Sequence, residues 1–194
     1  MQDFHLAVAA ITKQVVSLVD KTSTPIILID GRAASGKSSL AASLKNVLFK
    51  ELEQAPRVVH MDDLYPGWEG LQLGSFYLNQ QILQPLSQGK TAHWQLWDWE
   101  ANLRGRADEP GNGWREFAGG TPLIVEGCGS LSRVSSELAD LRIWIEADKE
   151  LRHQRWLDRD GEKFDEFWHI WAAQEDEFYQ QEKSSQLADL SFEN

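Results

Sequence analysis

The residue types that could do chemistry in this chain fall at a few marked positions. Gly31-Arg32-Ala33-Ala34-Ser35-Gly36-Lys37-Ser38 fits the pattern G-x-x-x-x-G-K-[ST] of a phosphate-binding loop. Glycine lets such a loop turn tightly and bring its backbone against an anion with no Cβ between them. The amides of Gly31, Ala33, Ala34, Ser35, Gly36, Lys37, Ser38 and Ser39 are therefore expected to face phosphate oxygens. Lys37 reaches the terminal phosphates, and Ser38 offers its hydroxyl to a Mg²⁺ ion. A helix starting at Gly36 adds the positive end of its dipole. Phosphoryl transfer needs such a cradle, a metal, a carboxylate near the acceptor hydroxyl and cations that meet the transition-state charge. Asp62, Glu126, Arg155 and Arg159 are the candidates for those tasks.

The elements that must position these residues are readable from pattern. Thr24 to Asp30 is a β-branched, apolar run, as a buried parallel strand requires. Leu40, Leu44, Val47 and Leu48 then recur at helical spacing, so strand, loop and helix come in the required order. Phe4, Val8, Ile11, Val15 and Leu18 mark one face of an N-terminal helix within 1–21. Further strands are expected at 57–61, 122–126, 141–145 and 188–192, with helices at 36–52, 71–88, 148–160 and 164–182. The stretch from Gly89 to Gly120, rich in Trp, Gly and Pro, predicts a long irregular loop. Strands alternating with helices indicate an α/β fold with a mainly parallel sheet, in which ligands bind beyond the carboxyl ends of the strands. Gly31, Asp62 and Glu126 all fall at such ends.

Composition narrows the partners. The 194 residues fit one domain of 1–194. The net charge of −11, from 19 basic and 30 acidic residues, argues against polymeric nucleic acid as a partner. No apolar stretch is long enough to cross a bilayer, and no basic n-region precedes an apolar core at the N-terminus. The single cysteine, Cys128, cannot form an internal disulfide. Together these predict a cytoplasmic protein that does not use a membrane. Cys128 reads as a small turn residue. Trp144, Trp168, Trp171 and Phe178 read as core. Trp68, Trp94, Trp97, Trp99 and Trp114, in loop-like sequence, are expected to line a cleft.

Each candidate has a plainer alternative. Asp62 suits a helix N-cap or turn as well as an acceptor-activating role. Glu126 is either a strand-end carboxylate or a contact to metal through water. Arg152, Arg155 and Arg159 share one helical face, either salt-bridged in solvent or closing on phosphates. Gln174 and Glu175 line the acceptor cleft or lie on exposed helix surface. The histidines show no metal-ligand spacing.

In their order along the chain, these motifs resemble the uridine kinase group of P-loop small-molecule kinases, whose members also act on nicotinamide riboside, pantothenate and ribulose phosphate. His60-Met61-Asp62-Asp63-Leu64-Tyr65 is similar to that group's Asp-x-Phe-Tyr segment. Trp97-Asp98-Trp99 with Arg104 resembles its Tyr-Asp-Phe…Arg segment. Val125-Glu126-Gly127 is similar to its Glu-Gly turn, 148–160 to its arginine-bearing lid and Ala188-Asp189-Leu190 to its Ala-Asp before the last strand. The resemblance spans about 24–192. It implies a three-layer α/β/α fold whose five-stranded sheet has the order 2-3-1-4-5, with a lid over 148–163. It further implies ATP and Mg²⁺ as cofactors, a small-molecule acceptor, metal contacts from Ser38 and Glu126, and an acceptor pocket of Asp62, Tyr65, Trp97, Asp98 and Arg104. The chain departs from the group in placing Trp-Asp-Trp for Tyr-Asp-Phe, and in a short lid interrupted by Trp156 and Asp158. The expected activity is phosphoryl transfer from ATP to a hydroxyl of a nucleoside or nucleoside-like metabolite. A kinase for pantothenate or a sugar phosphate, and a non-catalytic ATP-binding regulator, are the alternatives.

Overall fold

The computed structural model describes residues 2–161 and 164–194; Glu162 and Lys163, at the end of the expected lid, lie outside them. Helix α1 (Gln2–Val19) buries Val8, Ile11 and Val15, the stripe its spacing predicts. Strand β1 (Ile26–Asp30) is buried along its whole length. It runs through the glycine loop into α2 (Lys37–Leu52), which buries Leu40, Leu44 and Leu48 at steps of four. Strand β2 (Arg57–His60) ends in a single 3₁₀ turn, Met61–Asp63. Helix α3 (Leu71–Leu78) continues through a π turn at Asn79–Leu83 into α4 (Gln84–Ser87), so the helix expected over 71–88 is present but widened in its middle.

The segment from Gly89 to Gly120 is not the irregular loop expected. Strands β3 (Ala92–Gln95), β4 (Trp97–Asp98), β5 (Leu103–Arg104) and β6 (Trp114–Phe117) form two antiparallel ribbons, β3 with β6 and β4 with β5. The period-2 burial of Ala92 and Trp94 drives the longer ribbon. That alternation spans only four residues between Gly- and Pro-rich turns, too short to stand out in the sequence.

Strand β7 (Leu123–Glu126), helix α5 (Arg133–Ser136), strand β8 (Leu141–Glu146), helices α6 (Lys149–Asp160), α7 (Asp165–Glu182) and α8 (Ser184–Leu187), and strand β9 (Leu190–Glu193) complete the order. The main sheet runs β2-β7-β1-β8-β9 with every pairing parallel. With its strands numbered along the chain, this is the order 2-3-1-4-5. The last strand is fastened by Asp189, whose carboxylate accepts from the Arg142 guanidinium at 2.6 and 2.9 Å.

The core lies on both faces of the sheet. On one face Ile27, Ile29, Ile124 and Ile143 pack with Val8, Ile11, Val15, Leu40, Leu44 and Leu48 from α1 and α2. On the other, Leu28, Val59 and Val125 pack with Leu71 and Leu78 and the rings of Tyr65, Trp94, Trp156, Trp168, Trp171 and Phe178. This layering fixes the site, because register sets His60 opposite Glu126, and Glu126 opposite Ile29, at one edge. Among the described residues, no helix is long and apolar enough to cross a membrane.

Candidate active site

The glycine loop lies at the carboxyl end of β1, where Gly31 and Gly36 take φ of 146° and 106°. Both positions need glycine: a Cβ on Gly31 would meet the Ile145 carbonyl oxygen at 2.1 Å, and one on Gly36 the Asn194 amide nitrogen at 2.2 Å. The loop's carbonyls are taken up by side chains. Lys37 Nζ, 6% exposed, donates to the Gly31 and Arg32 oxygens at 2.8 Å each. Arg152 donates to Ala33 O at 3.3 Å, Arg155 to Ala34 O at 3.4 Å and Asn194 Nδ2 to Ser35 O at 2.8 Å. The first-turn amides of α2 have no side-chain cap. Donors without a cap at a helix start, beside a loop whose acceptors are occupied, make an anion site.

Not every loop amide serves it. The Ala33 N–H donates to Glu175 Oε1 at 2.5 Å and the Ser35 N–H to Arg32 O at 3.2 Å. Ala34, at φ 60°, takes the left-handed conformation that non-glycine residues seldom adopt.

The loop opens on a cavity of about 1320 Å³. On its floor Ser38 Oγ donates to both oxygens of Glu126 at 3.1 Å, and His60 Nδ1 lies 2.6 Å from Glu126 Oε1. Glu126 is 4% exposed, and hydrogen bonding to it raises the pKa of His60. A carboxylate and a hydroxyl this close supply hard oxygen donors of the kind Mg²⁺ takes, the rest of its shell coming from water and phosphates. The residues present fit the metal. Gly127 follows with φ 139°, and a Cβ there would meet that of Met61 at 2.4 Å; the missing side chain lets the ends of β7 and β2 converge. Asp62, one residue beyond Met61, stands in the cavity wall, open to its water. The enclosing walls raise its pKa, Glu126 adds to the shift, and Lys37 and Arg159 oppose it.

Arg155 and Arg159 both line the cavity, whereas Arg152 is buried beneath the loop. Tyr65 contributes to the wall but is otherwise buried, its hydroxyl donated to the Cys128 carbonyl at 2.7 Å. Trp68 and Trp99 line the cavity as expected of the loop tryptophans, their centroids 4.9 Å apart, with Trp156, Phe164 and Trp171 beside them. Trp94 is instead in the core and Trp114 on the surface.

Trp97, Asp98 and Arg104, expected in the acceptor pocket, are not part of the cavity wall. Asp98 Oδ1 accepts the Glu100 and Ala101 amides at 3.0 and 2.8 Å, shaping the turn that carries Trp99 and Glu100 to the cavity. Arg104 donates to Leu64 O and Gln95 O, and its guanidinium lies 3.5 Å from the Tyr77 ring centroid. Short polar side chains next to a tight turn satisfy its backbone before they reach a ligand.

Several residues with a part in the site escaped the sequence reading. Glu175 is neither cleft lining nor exposed surface: it is 1% exposed, under the loop. Asp30 is fully buried and accepts from the Gly31, Gly129 and Leu131 amides and the Tyr179 hydroxyl; burial lifts its pKa to about 6 against those bonds. An acidic residue ending a wholly apolar strand was the signal for Asp30. Cys128 is in the wall, its Sγ 3.6 Å from Lys37 Nζ, with burial pushing its thiol pKa well up.

Solved structures similar to this fold are numerous. One described as a possible uridine kinase from Bacillus stearothermophilus superposes with a TM-score of 0.60 at 18% identity, over 94% of this chain and 99% of that one. One provisionally described as a fructose transport system kinase from Silicibacter sp. TM1040 gives 0.61 at 18%, over 95% and 98%. The D-glycerate 3-kinase from Cryptococcus neoformans gives 0.55 at 12%, over 94% and 90%. The chain has the P-loop kinase fold. No family model matches the sequence, and neither does any curated protein. At these identities the P-loop kinase fold is held by layer packing and loop geometry, which different side chains can satisfy.

Proposed function

We propose that this protein is an ATP- and Mg²⁺-dependent kinase that transfers the γ-phosphoryl group of ATP to a hydroxyl of a small acceptor, a nucleoside or nucleoside-like metabolite, in the cytoplasm. The observation that carries the proposal is convergence: Lys37, Ser38, Glu126, Asp62, Arg155 and Arg159 all border one cavity beyond the strand ends.

Each has a task its position suits. Lys37 exchanges its bonds to the loop carbonyls for terminal phosphate oxygens, and the amides at the start of α2 hold the rest. Ser38 and Glu126 would hold the Mg²⁺, which when bound neutralises phosphate charge. Asp62 orients the acceptor hydroxyl and takes its proton as the oxygen bonds to phosphorus and ADP leaves; a pKa above the ordinary carboxylate value makes it a better base. Arg155 and Arg159 meet the charge that spreads over the transferring group. The rings of Trp68 and Trp99 offer a planar acceptor a stacking surface.

A second reading, a kinase for a non-aromatic polyol or hydroxy acid, draws support from one observation: Asp98, the residue expected to read ribose hydroxyls, is committed to its own turn. The test is ATP consumption across a panel of nucleosides, pantothenate, sugars and hydroxy acids, beside ATP binding alone. Acceptor-stimulated turnover with a nucleoside supports the first reading, and turnover only with a polyol the second. ATP binding with no stimulated turnover would support a regulatory protein instead.

A further inference from the structure

We propose that Glu175 is a positioning residue of the phosphate loop, holding the Ala33 amide so that the neighbouring amides face the nucleotide. The inference rests on the kinase reading above and adds to it a residue from outside the loop and its strand.

Glu175 lies near the middle of α7 and is 1% exposed. Its Oε1 accepts the Ala33 N–H at 2.5 Å and the Cys128 thiol at 3.2 Å. Its Oε2 lies 3.6 Å from the Arg32 guanidinium and 4.0 Å from that of Arg152. Arg152 in turn donates to the Ala33 carbonyl, so both peptide groups flanking Ala33 are held from the protein side. One turn further along α7, the Tyr179 hydroxyl donates to Asp30 Oδ1 at 2.7 Å and lies 3.1 Å from Gly31 O. Thus α7 grips the loop at two points one helical turn apart, and Asp176 adds an ion pair to Arg32 at 2.7 Å.

A buried carboxylate is costly unless its bonds are well made. A glutamate with a purely structural role would need donors from the core around it, with no tie to the loop. This one is spent on a loop residue, next to a left-handed Ala34 that the loop must hold against its own preference. Holding the Ala33 N–H from below fixes the orientation of the 32–33 peptide and removes one of the alternatives open to an empty loop. A preorganised donor set binds an anion without the cost of ordering it.

The alternative is that Glu175 acts through charge alone. The two predict different patterns across a pair of variants. A carboxylate near bound phosphates repels them, so on charge alone Glu175→Gln binds ATP more tightly and Glu175→Asp leaves affinity unchanged. For positioning, reach decides. Gln keeps an oxygen at the same distance, whereas Asp is shorter by about 1.5 Å, the length of one carbon–carbon bond, and leaves the Ala33 N–H unpaired.

The experiment measures ATP dissociation constants by titration calorimetry, and the KM for ATP and for whichever acceptor the panel identifies. Glu175→Asp should weaken ATP binding at least tenfold with the acceptor KM within about twofold. Glu175→Gln should stay within threefold of wild type for both, although each variant lowers the melting temperature. Should Glu175→Asp not fold, Glu175→Met, of similar length and without an acceptor, replaces it with the same tenfold expectation. Unchanged ATP affinity in the variant lacking the acceptor overturns the proposal, as does an equal loss in Glu175→Gln. Wild-type protein that bound no ATP would instead overturn the kinase reading on which this one stands.

Discussion

His60 Nδ1 lies 2.6 Å from Glu126 Oε1, joining the last residue of β2 to the last residue of β7. That bond raises the pKa of His60 in the folded protein. A group whose folded pKa is raised contributes stability that is complete below its unfolded value, roughly 6.5 for histidine. The contribution is lost as pH rises through the folded value. The unfolding free energy of the wild type, measured by denaturant titration, should therefore fall relative to that of His60→Ala as pH increases from about 6 upwards. A constant difference between the two proteins across that window would show that the pair does not titrate.

Lys37 occupies two loop carbonyls in the structure and must release them to reach phosphate. Lys37→Ala should weaken ATP binding at least tenfold and abolish transfer while the circular dichroism spectrum stays native. Wild-type turnover in that variant would remove the loop from the mechanism.

Asp62, the proposed general base, lines the cavity, and its surroundings raise its pKa. Asp62→Asn should lower kcat by roughly 10²–10⁴, the usual worth of such a base, and leave ATP affinity within about threefold. A loss seen only in ATP binding would transfer Asp62 to the metal side of the site.

Arg155 and Arg159 share the cavity but differ in attachment. Arg155 also donates to the Ala34 carbonyl, so Arg155→Ala should raise the KM for ATP and lower kcat together. Arg159 acts on Asp62 across the cavity, and Arg159→Ala should lower kcat by more than it raises either KM. Steady-state kinetics on both variants separate the two patterns.

Trp99 is placed by its own hydrogen bond, Nε1 to the Asp62 carbonyl at 2.9 Å, which seats its ring beside the proposed base. Trp99→Ala should raise the KM of a planar acceptor roughly three- to tenfold, in line with the worth of an aromatic contact. The KM for ATP should be unaffected, and Asp98→Ala should act more weakly and through stability. Equal loss for planar and non-planar acceptors would count against stacking.

The sheet and the phosphate loop were legible in the sequence because both are local. A strand buried on two faces reads as an unbroken apolar run, and the loop has a fixed spacing of glycines and lysine. That Asp62, Glu126, Arg155 and Arg159 border one cavity was legible because each sits at a strand end or on one helical face. The acceptor side was not. Asp98 and Arg104 looked available, yet a turn and a neighbouring strand claimed them. Trp156, read as a break in a basic helix, is a wall of the cavity. Glu175 was read as cleft lining or exposed surface because polar neighbours such as Asp176, Glu177 and Gln180 surround it, yet its helical spacing from Trp168, Trp171 and Phe178 places it on the buried stripe of α7. What a side chain meets on its face depends on which elements pack together, and a one-dimensional pattern does not contain that.

Beside its local bonds, the loop is held by four that join residues far apart in the chain: Ala33 to Arg152 across 119 positions, Ala34 to Arg155 across 121, Ala33 to Glu175 across 142 and Ser35 to Asn194 across 159. Contacts of that separation close large loops and are rewarded only once most of the chain is in place. Strand β1 pairs with β7 and β8 at comparable separations, so the loop is expected to reach its final shape together with the sheet. A ligand that recognises only the finished cradle retards escape from the native state and leaves the rate of reaching it unaltered.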